Sequence, residues 1–345
     1  MSRIIRTLIV DDSAFVRKVV REMLSRSPYI EVVGAARDGV EALELVAELR
    51  PDVVTCDLMM PRLDGVGFVR DQMARAPLPI LVLTASPQDA SLVLDALSAG
   101  AVDFVQKPTA LATEQLLGMR EELVDKVKTA AGVRVSRPQP VPVPVAVAPS
   151  GGGLALKADL VVLAISTGGP QALRQLLPEL PADLPVPMAI VLHMPVGYTA
   201  PFAAKLNEVS AIEVAEAREG DVLRPGLVLL APAGRHLQVR RNRVGEVVAH
   251  LTIHPIDKPH RPSADVLFQS AAEVHGSRVL GVVMTGMGDD GRQGSGWIKA
   301  QGGTVLTEAE SSCVIYGMPR SVVEAGLSDA SFPLDRMVQA IVERI

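Results

Sequence analysis

A run rich in proline, valine and glycine near the middle of the chain constrains its fold more than any other feature. Residues 137–153 alternate proline with valine and end in three glycines, and they follow neither the helical nor the strand period. Such a run is typical of an extended linker with a flexible tail. The sequence therefore predicts two domains, residues 1–130 and 155–345, joined by a linker at residues 131–154.

Composition narrows the class of protein further. The 345 residues are 48% hydrophobic but only 3% aromatic, so both cores must be built from aliphatic side chains. A net charge of -5 without a dense Lys/Arg cluster predicts no nucleic-acid partner. The brief apolar N-terminus runs into Asp11 and Asp12, which predicts a cytoplasmic protein without membrane insertion. Cys56 and Cys313 are too few for a disulfide framework.

Short β-rich runs alternate with helical patterns in the first part of the chain. The predicted strands are Thr7 to Val10, Glu31 to Ala35, Val53 to Cys56, Ile80 to Leu83 and Asp103 to Val105. Strands with intervening helices predict a parallel, flavodoxin-like α/β sheet with right-handed crossovers. In the first helix, Phe15, Val19 and Met23 are spaced four apart, beside Val16, Val20 and Leu24, and we expect them to face the sheet.

The second part repeats the alternation and predicts a doubly wound, mostly parallel α/β sheet. Its expected strands are Leu160 to Ile165, Met188 to Leu192, Val279 to Met284 and Thr304 to Thr307. Between Glu213 and His254 the pattern changes to short apolar runs separated by Gly and Pro. These runs predict a β-ribbon insertion instead of another βαβ unit.

Polar residues follow the predicted strands of the first domain. Asp11, Asp12 and Asp57 would share one sheet edge with Thr84 and Lys107, because parallel strands end at the same edge. Three close carboxylates favour a hard cation such as Mg²⁺, which also binds phosphate oxygens. We expect Asp57 to attack a phosphoryl group, Lys107 to neutralise its oxygens and Thr84 to hydrogen-bond the product. A single aspartate at a strand end is more typical of a helix cap or a solvated charge, and Lys107 before Pro108 could be a turn residue, but the five positions together favour the phosphoryl site.

These positions resemble the bacterial response-regulator receiver domain over about residues 4–127. The matching motifs are Val10-Asp11-Asp12-Ser13, Asp57-Leu58-Met59-Met60-Pro61 with Asp64-Gly65, Leu83-Thr84-Ala85 and Lys107-Pro108. The resemblance implies five parallel strands, phosphorylation of Asp57 by a sensor histidine kinase, and Mg²⁺ bound by Asp11, Asp12, Asp57 and the Met59 backbone. It also places Phe104 at the family's switch aromatic, with a core phenylalanine as the alternative.

Ser166 follows the apolar strand 160–165 and precedes a helix starting near Gly168, where an α/β enzyme can mount a nucleophile. Its general base must come from another strand end, and His193 comes directly after the strand 188–192. Asp290 or Asp289, after the strand 279–284, would orient His193, and the Met287 amide is a candidate oxyanion donor. Ser166 as a helix N-cap is the alternative.

Two other interpretations of the second domain remain open. A metal site from His250, His254 and His260 lacks a supporting carboxylate pattern. Residues 286–291 match GxGxxG between a strand and a helix, with Glu308 after the next strand, as in dinucleotide-binding domains. Against this, Asp289 and Asp290 would face an anionic pyrophosphate.

About residues 159–343 resemble the catalytic domain of the chemotaxis protein-glutamate methylesterases. The matching motifs are Ser166-Thr167-Gly168-Gly169-Pro170, His193-Met194-Pro195 with Tyr198-Thr199 and Phe202-Ala203, His260-Arg261-Pro262-Ser263 with Asp265-Val266-Leu267-Phe268, and Thr285-Gly286-Met287-Gly288 with Asp290-Gly291. Position by position, the resemblance implies Ser166 as nucleophile, His193 as base, Asp290 as orienting acid, and backbone support from Thr167 and Met287. Ile165 and Tyr198 depart from the family's usual residues.

The two resemblances together imply a phosphorylation-regulated hydrolase. It would demethylate glutamyl methyl esters on a methylated chemoreceptor and deamidate certain glutamines, with Mg²⁺ in the receiver domain and no cofactor in the catalytic domain. We expect the receiver to restrict access to Ser166 until Asp57 is phosphorylated. The rival hypothesis is a phospho-switched binding module, inactive as an enzyme or serving a signalling array unrelated to motility.

Overall fold

The computed structural model describes residues 3–107, 113–133, 135 and 158–345. Contacts divide the chain into two compact units, Met1–Pro140 and Val141–Ile345. Most of the predicted linker at 131–154, including all of the Pro/Val/Gly run, lies outside the described residues. Within the described part, every helix is too short or too polar to cross a membrane.

The first unit is a five-stranded parallel sheet with helices between successive strands. Its strands are β1 (Ile5–Val10), β2 (Ile30–Ala36), β3 (Val53–Asp57), β4 (Ile80–Thr84) and β5 (Asp103–Gln106), in the order β2-β1-β3-β4-β5. Its helices are α1 (Ala14–Leu24), α2 (Gly39–Leu49), α3 (Gly65–Arg75), α4 (Ala90–Ser98) and α5 (Thr113–Ala130). All five predicted strands are confirmed, each one or two residues longer than expected.

Helix α1 differs from the sequence prediction in the face that it buries. Val20, Met23 and Leu24 are buried against the sheet, whereas Phe15 is 62% exposed. The buried stripe thus follows the three- and four-residue spacing that starts from Val16, which packs against the same core. The prediction that Phe15 faces the sheet was wrong.

The second unit is a seven-stranded sheet in which every pairing is parallel. Its strands are β6 (Leu160–Ile165), β7 (Met188–Leu192), β8 (Glu213–Glu216), β9 (Leu227–Leu230), β12 (Val279–Val283), β13 (Thr304–Glu308) and β14 (Ala330–Phe332), in the order β14-β13-β12-β6-β7-β9-β8. Its helices are α6 (Gly169–Glu179), α7 (Thr199–Val209), α8 (Ala264–His275), α9 (Arg292–Ala300), α10 (Met318–Glu324) and α11 (Leu334–Val342).

The predicted β-ribbon is present but narrower than the range 213–254. It consists of β10 (His236–Arg241) paired antiparallel with β11 (Val247–Thr252). Strands β8 and β9 from the same range instead extend the main sheet as parallel strands. Strand β9 is buried throughout, because it lies between β7 and β8.

Strand order places the candidate site at the centre of the second sheet. The chain moves outward from β6 to β7 and later returns to β12 on the other side of β6, so the direction of winding reverses between β6 and β12. In open α/β sheets, the carboxyl ends of strands at such a reversal form a crevice. The residues that follow β6, β7 and β12 therefore converge at one edge.

Helix α8 packs between the ribbon and the sheet. Leu267 and Phe268 share a core with Leu237 of β10 and Val162 of β6, and the Ser270 hydroxyl accepts a hydrogen bond from the Val239 amide at 3.1 Å. This packing fixes the N-terminus of α8, whose backbone amides reach the candidate site.

Candidate active site and acidic cluster

Acidic side chains meet at the carboxyl edge of the first sheet, as the sequence predicts. Asp57 ends β3, and Asp11 and Asp12 directly follow β1. One carboxylate oxygen from each of the three lies within 4.8 Å of the others. Asp11 and Asp57 are buried, whereas Asp12 is exposed.

Lys107 bridges the two buried carboxylates of this cluster. Its Nζ lies 2.6 Å from Asp11 Oδ2 and 2.9 Å from Asp57 Oδ1. Burial raises the pKa of Asp57, although the Lys107 ammonium opposes the rise. The Lys107 amide donates to the Thr84 carbonyl at 2.6 Å, which brings the end of β4 to the same edge.

The chemistry of the cluster suits a hard divalent cation. Three carboxylates offer oxygen ligands, the donor type that Mg²⁺ prefers. Met59 lies two residues beyond Asp57, and because a thioether is a poor ligand for a hard cation, the ligand that it offers is its backbone carbonyl. A bound cation would offset the repulsion among the carboxylates and a transferred phosphoryl group.

Phe104 is buried, only 2% exposed. The Nζ of Lys126 lies 5.7 Å from its ring centroid and donates to its backbone carbonyl at 2.6 Å. The same ammonium pairs with Asp103 and Glu122, at 3.3 and 3.2 Å. In this conformation Phe104 is a core residue covered by a basic side chain of α5.

In the second unit, Ser166 occupies a sharp turn between β6 and α6. Its amide donates to the Thr285 carbonyl at 2.9 Å, and its own carbonyl accepts from the Gly169 amide at 2.7 Å. Gly168 has φ +79°, a left-handed conformation that favours glycine. Within the described residues, the Ser166 hydroxyl and the Thr167 amide make no hydrogen bond. Both groups are therefore available to bind a substrate.

His193 lies beside this turn on the neighbouring strand end. Its amide donates to the Ile165 carbonyl at 3.3 Å. Its Nε2 lies 2.8 Å from Asp290 Oδ2, the distance of a charge-assisted hydrogen bond. Its Nδ1 is buried and has no hydrogen-bond partner within the described residues. One ring nitrogen is therefore anchored and the other is available.

Asp290, not Asp289, is the acid that the structure brings to His193. Asp289 is exposed and pairs with Arg292 at 2.7 Å. Asp290 is buried and accepts further hydrogen bonds at the N-terminus of α8, from the Ser263 hydroxyl at 2.8 Å and the Ala264 amide at 2.7 Å. Burial alone would raise the pKa of Asp290, but these bonds and His193 hold it well below its usual range.

Thr285 connects the Ser166 turn to a buried acid at the end of β13. Its hydroxyl donates to the Thr167 carbonyl at 3.0 Å, and its amide donates to Glu308 Oε2 at 2.9 Å. Glu308 is fully buried, and its other oxygen accepts from Ser312 at 2.9 Å. Both of its oxygens serve this network, so Glu308 is not free to bind a ribose. The dinucleotide interpretation is not supported.

The remaining histidines have separate positions. His236 is buried, with Nδ1 accepting from the Ser263 amide and Nε2 bonded to the Pro255 carbonyl. His250 bonds Glu219 at 2.9 Å. His260 stacks on His193. Across the residues that the structure describes, the acidic cluster of the first unit is the only group of three potential metal ligands, so the histidine metal site is not supported.

Sequence reasoning missed three residues that contact the candidate site. His260 and Ser263 belong to a motif quoted above, but no role followed from their positions between β11 and α8. Glu308 was considered only as part of a dinucleotide fingerprint. Each of these residues contacts the site across at least 23 positions of sequence, as Glu308 does through the Thr285 amide. Short-range periodicity carries no signal for such contacts.

Fold and site together define a two-domain α/β response regulator whose second domain has the architecture of a hydrolase. The family model described as CheB methylesterase matches residues 161–341, and that described as response regulator receiver domain matches residues 7–118. The chain belongs to the CheB methylesterase family and is a carboxylic ester hydrolase with a receiver domain.

Several relatives support this assignment along the whole chain. A protein-glutamate methylesterase/protein-glutamine glutaminase 5 of Myxococcus xanthus is 54% identical, covering 97% of this chain and 96% of that relative. A protein-glutamate methylesterase/protein-glutamine glutaminase of Symbiobacterium thermophilum is 44% identical, covering 100% and 98%. The crystal structure of the Thermotoga maritima CheB methylesterase catalytic domain is 37% identical, with TM-score 0.53, covering 55% of this chain and 99% of that chain.

Proposed function

We propose that this protein hydrolyses glutamyl γ-methyl esters on a methylated chemoreceptor, releasing methanol and restoring glutamate. The names of the relatives support both this activity and deamidation of specific glutamines, which requires the same acyl transfer with ammonia as the leaving group. We assign the catalytic domain to residues 155–345 and the linker to residues 131–154.

In the proposed mechanism, Ser166 is the nucleophile, His193 the base and Asp290 the orienting acid. His193 Nδ1 takes the hydroxyl proton as Ser166 Oγ forms a bond to the ester carbonyl carbon. The proton then passes to the departing methoxy group, and methanol leaves. Water, deprotonated by His193, hydrolyses the acyl-enzyme and returns the proton to Ser166. Asp290 stabilises the imidazolium in both steps through its 2.8 Å contact with Nε2.

Backbone amides of Thr167 and Met287 would stabilise the negative charge on the carbonyl oxygen. The Thr167 amide has no competing acceptor within the described residues, and Thr285 anchors the segment that leads to Met287. Donors fixed before the reaction lower the barrier because no reorganisation is needed as charge develops.

The receiver domain, residues 1–130, would accept a phosphoryl group on Asp57 from a sensor histidine kinase. Mg²⁺ held by Asp11, Asp12, Asp57 and the Met59 carbonyl would screen the charge of the incoming phosphoryl oxygens. Lys107 is within ion-pair distance of Asp57 and can neutralise a phosphoryl oxygen there, and Thr84 would hydrogen-bond the product. Phe104 would change its packing against Lys126 when Asp57 is phosphorylated. The protein would act in the cytoplasm.

One observation favours an enzyme over a protein that only binds a partner. Ser166, His193 and Asp290 follow adjacent strands at the reversal of the sheet, with one nitrogen of His193 bonded to Asp290 and the other unpartnered within the described residues. A binding module would not require an unpartnered buried imidazole nitrogen. An inactive response regulator serving a non-motility array is the alternative function.

The decisive experiment measures methanol release from methylated receptor membranes. We expect Ser166→Ala to abolish release while Asp57 is still phosphorylated by a small-molecule phosphodonor. Ser277→Ala is the matched control, since Ser277 is exposed and precedes β12 at the opposite edge of the sheet. Methanol release by Ser166→Ala at the wild-type rate would refute the assignment, and an inactive wild type would favour the binding module.

A further inference from the structure

We propose that His260 is a positioning residue for His193, covering one face of its imidazole ring and holding it in the plane required for proton transfer. The inference rests on the proposed role of His193 as general base. His260 lies in the segment between β11 and α8, outside the three proposed catalytic positions.

The two rings form a stacked pair. Their centroids are 4.2 Å apart and their planes are inclined by 18°. This is the separation at which aromatic rings are in face contact. The stack brings the segment before α8 over the strand end that carries the base.

The His193 ring needs this contact because its hydrogen bonds fix only one edge. Nε2 is anchored to Asp290, but Nδ1 has no partner within the described residues. A ring held by one hydrogen bond can tilt about that bond, which would displace Nδ1, the nitrogen proposed to take the Ser166 proton. A flat group against one face limits the tilt. Small misplacements of a reacting group are costly in catalysis.

The charge of His260 matters because His193 becomes a cation when it takes the serine proton. A neutral aromatic ring against an imidazolium face is attractive, whereas a second imidazolium repels it. The titratable groups around His260 are His193, Asp289 and Asp290, with Arg292 paired to Asp289. Burial and then His193 lower the pKa of His260, against the pull of the two carboxylates. His260 is thus neutral near neutral pH.

The fold itself does not depend on the His260 side chain. One face of the His260 ring is covered by the stack on His193, the rest of the residue is partly exposed, and its ring nitrogens make no hydrogen bond within the described part of the chain. Substitutions at this position therefore test positioning with little risk of unfolding. His254 is a matched control, because it is an exposed histidine in the same segment, and among the described residues the ring found stacked on His193 is that of His260.

The test compares full-length His260→Ala, His260→Phe and His254→Ala with the wild type in methanol release across a pH series. We expect His260→Ala to lower kcat about tenfold with little change in KM. His260→Phe should restore most of kcat, because a phenyl ring stacks without titrating. The acid limb of its kcat/KM profile should also differ from that of the wild type, because the phenyl ring cannot become a second cation beside His193. His254→Ala should match the wild type.

Each other outcome overturns part of the inference. Wild-type kcat in His260→Ala would exclude positioning, as would a His260→Phe variant as slow as His260→Ala. An unchanged acid limb in His260→Phe would exclude the requirement for a neutral ring. An inactive wild type, or a fully active His193→Ala variant, would instead refute the proposed function on which the inference rests.

Discussion

At the scale of single residues, Asp290 serves the proposed site and the fold with the same carboxylate. It faces four donors, which are His193 Nε2, the Ser263 hydroxyl and the amides of Ala264 and Asp265. Amides at a helix N-terminus favour a negative charge. The helix N-terminus therefore helps to keep Asp290 ionised, and ionised Asp290 is what stabilises a protonated His193.

We predict that Asp290→Asn lowers kcat by on the order of 10⁴-fold and the free energy of unfolding by about 2–3 kcal/mol. The side-chain amide of asparagine has only one oxygen to accept hydrogen bonds from these four donors. Its NH₂ group would face the remaining donors, which leaves them without an acceptor. Methanol release and urea denaturation measure the two effects. Asp289→Asn is the control, since Asp289 is exposed and pairs with Arg292; a loss of kcat in this variant equal to that in Asp290→Asn would contradict the assignment.

The stability effect should depend on pH in a defined direction. The pKa of Asp290 is lower in the folded protein than in the unfolded chain. The stabilisation from its charge is thus fully present above the unfolded value, about pH 4, and is lost as pH falls toward the folded value. The difference in unfolding free energy between wild type and Asp290→Asn should shrink below about pH 4.

At the scale of elements, buried hydrogen bonds join β13, the loop after β12 and the Ser166 turn. Glu308 accepts from the Thr285 amide, and the Thr285 carbonyl accepts from the Ser166 amide. Burial raises the pKa of Glu308, although the hydrogen bonds from the Thr285 amide and the Ser312 hydroxyl oppose the rise. Burying the Glu308 carboxyl costs free energy, and its hydrogen bond from Thr285 holds the loop beside Ser166 in place.

We predict that Glu308→Ala lowers kcat about tenfold and speeds amide hydrogen exchange at Ser166, because the Thr285 amide loses its acceptor and the loop loosens. Glu308→Gln, which keeps one oxygen acceptor, should recover part of both. Methanol release and site-resolved hydrogen exchange provide the readouts. Glu310→Gln is the control, since Glu310 is exposed and pairs with Arg320 at 3.5 Å. Unaltered exchange at Ser166 in Glu308→Ala would argue against the connection.

At the scale of the whole molecule, phosphorylation of one unit should control hydrolysis by the other. The first unit contains a receiver domain, and the second belongs to a methylesterase family. A coupling of typical size would change the rate about tenfold. The change requires that phosphorylated Asp57 favour another receiver conformation.

We predict that a small-molecule phosphodonor with Mg²⁺ raises methanol release about tenfold in the wild type and leaves Asp57→Asn at its basal rate. Chelation of Mg²⁺ should remove the increase and leave basal release unchanged, because the proposed hydrolysis uses only side chains and backbone amides. Asp71→Asn, a substitution at a half-exposed position on α3, is the control. Equal stimulation of Asp57→Asn would show that the phosphodonor acts elsewhere.

The elements of this fold were largely predictable because their signals are local. Apolar β-branched runs mark the strands, and β6 and β7 have the predicted bounds. The face of α1 was misjudged because Phe15 is apolar yet exposed, and only packing shows which side of a helix meets the sheet. Strands β8 and β9 were assigned to the ribbon because short apolar runs do not reveal the pairing of β9 with the more distant β7, which joins both strands to the main sheet.

The sequence by itself determined the two-domain organisation and the strand ends that carry Asp57 and Ser166. These follow from residue type and short-range period. Only the tertiary structure decided that Asp290 and not Asp289 contacts His193, that His260 covers that ring, and that Glu308 supports the loop beside Ser166. The physical reason is that strand order and helix packing bring these distant segments together, and local sequence does not encode which partner each buried polar group meets.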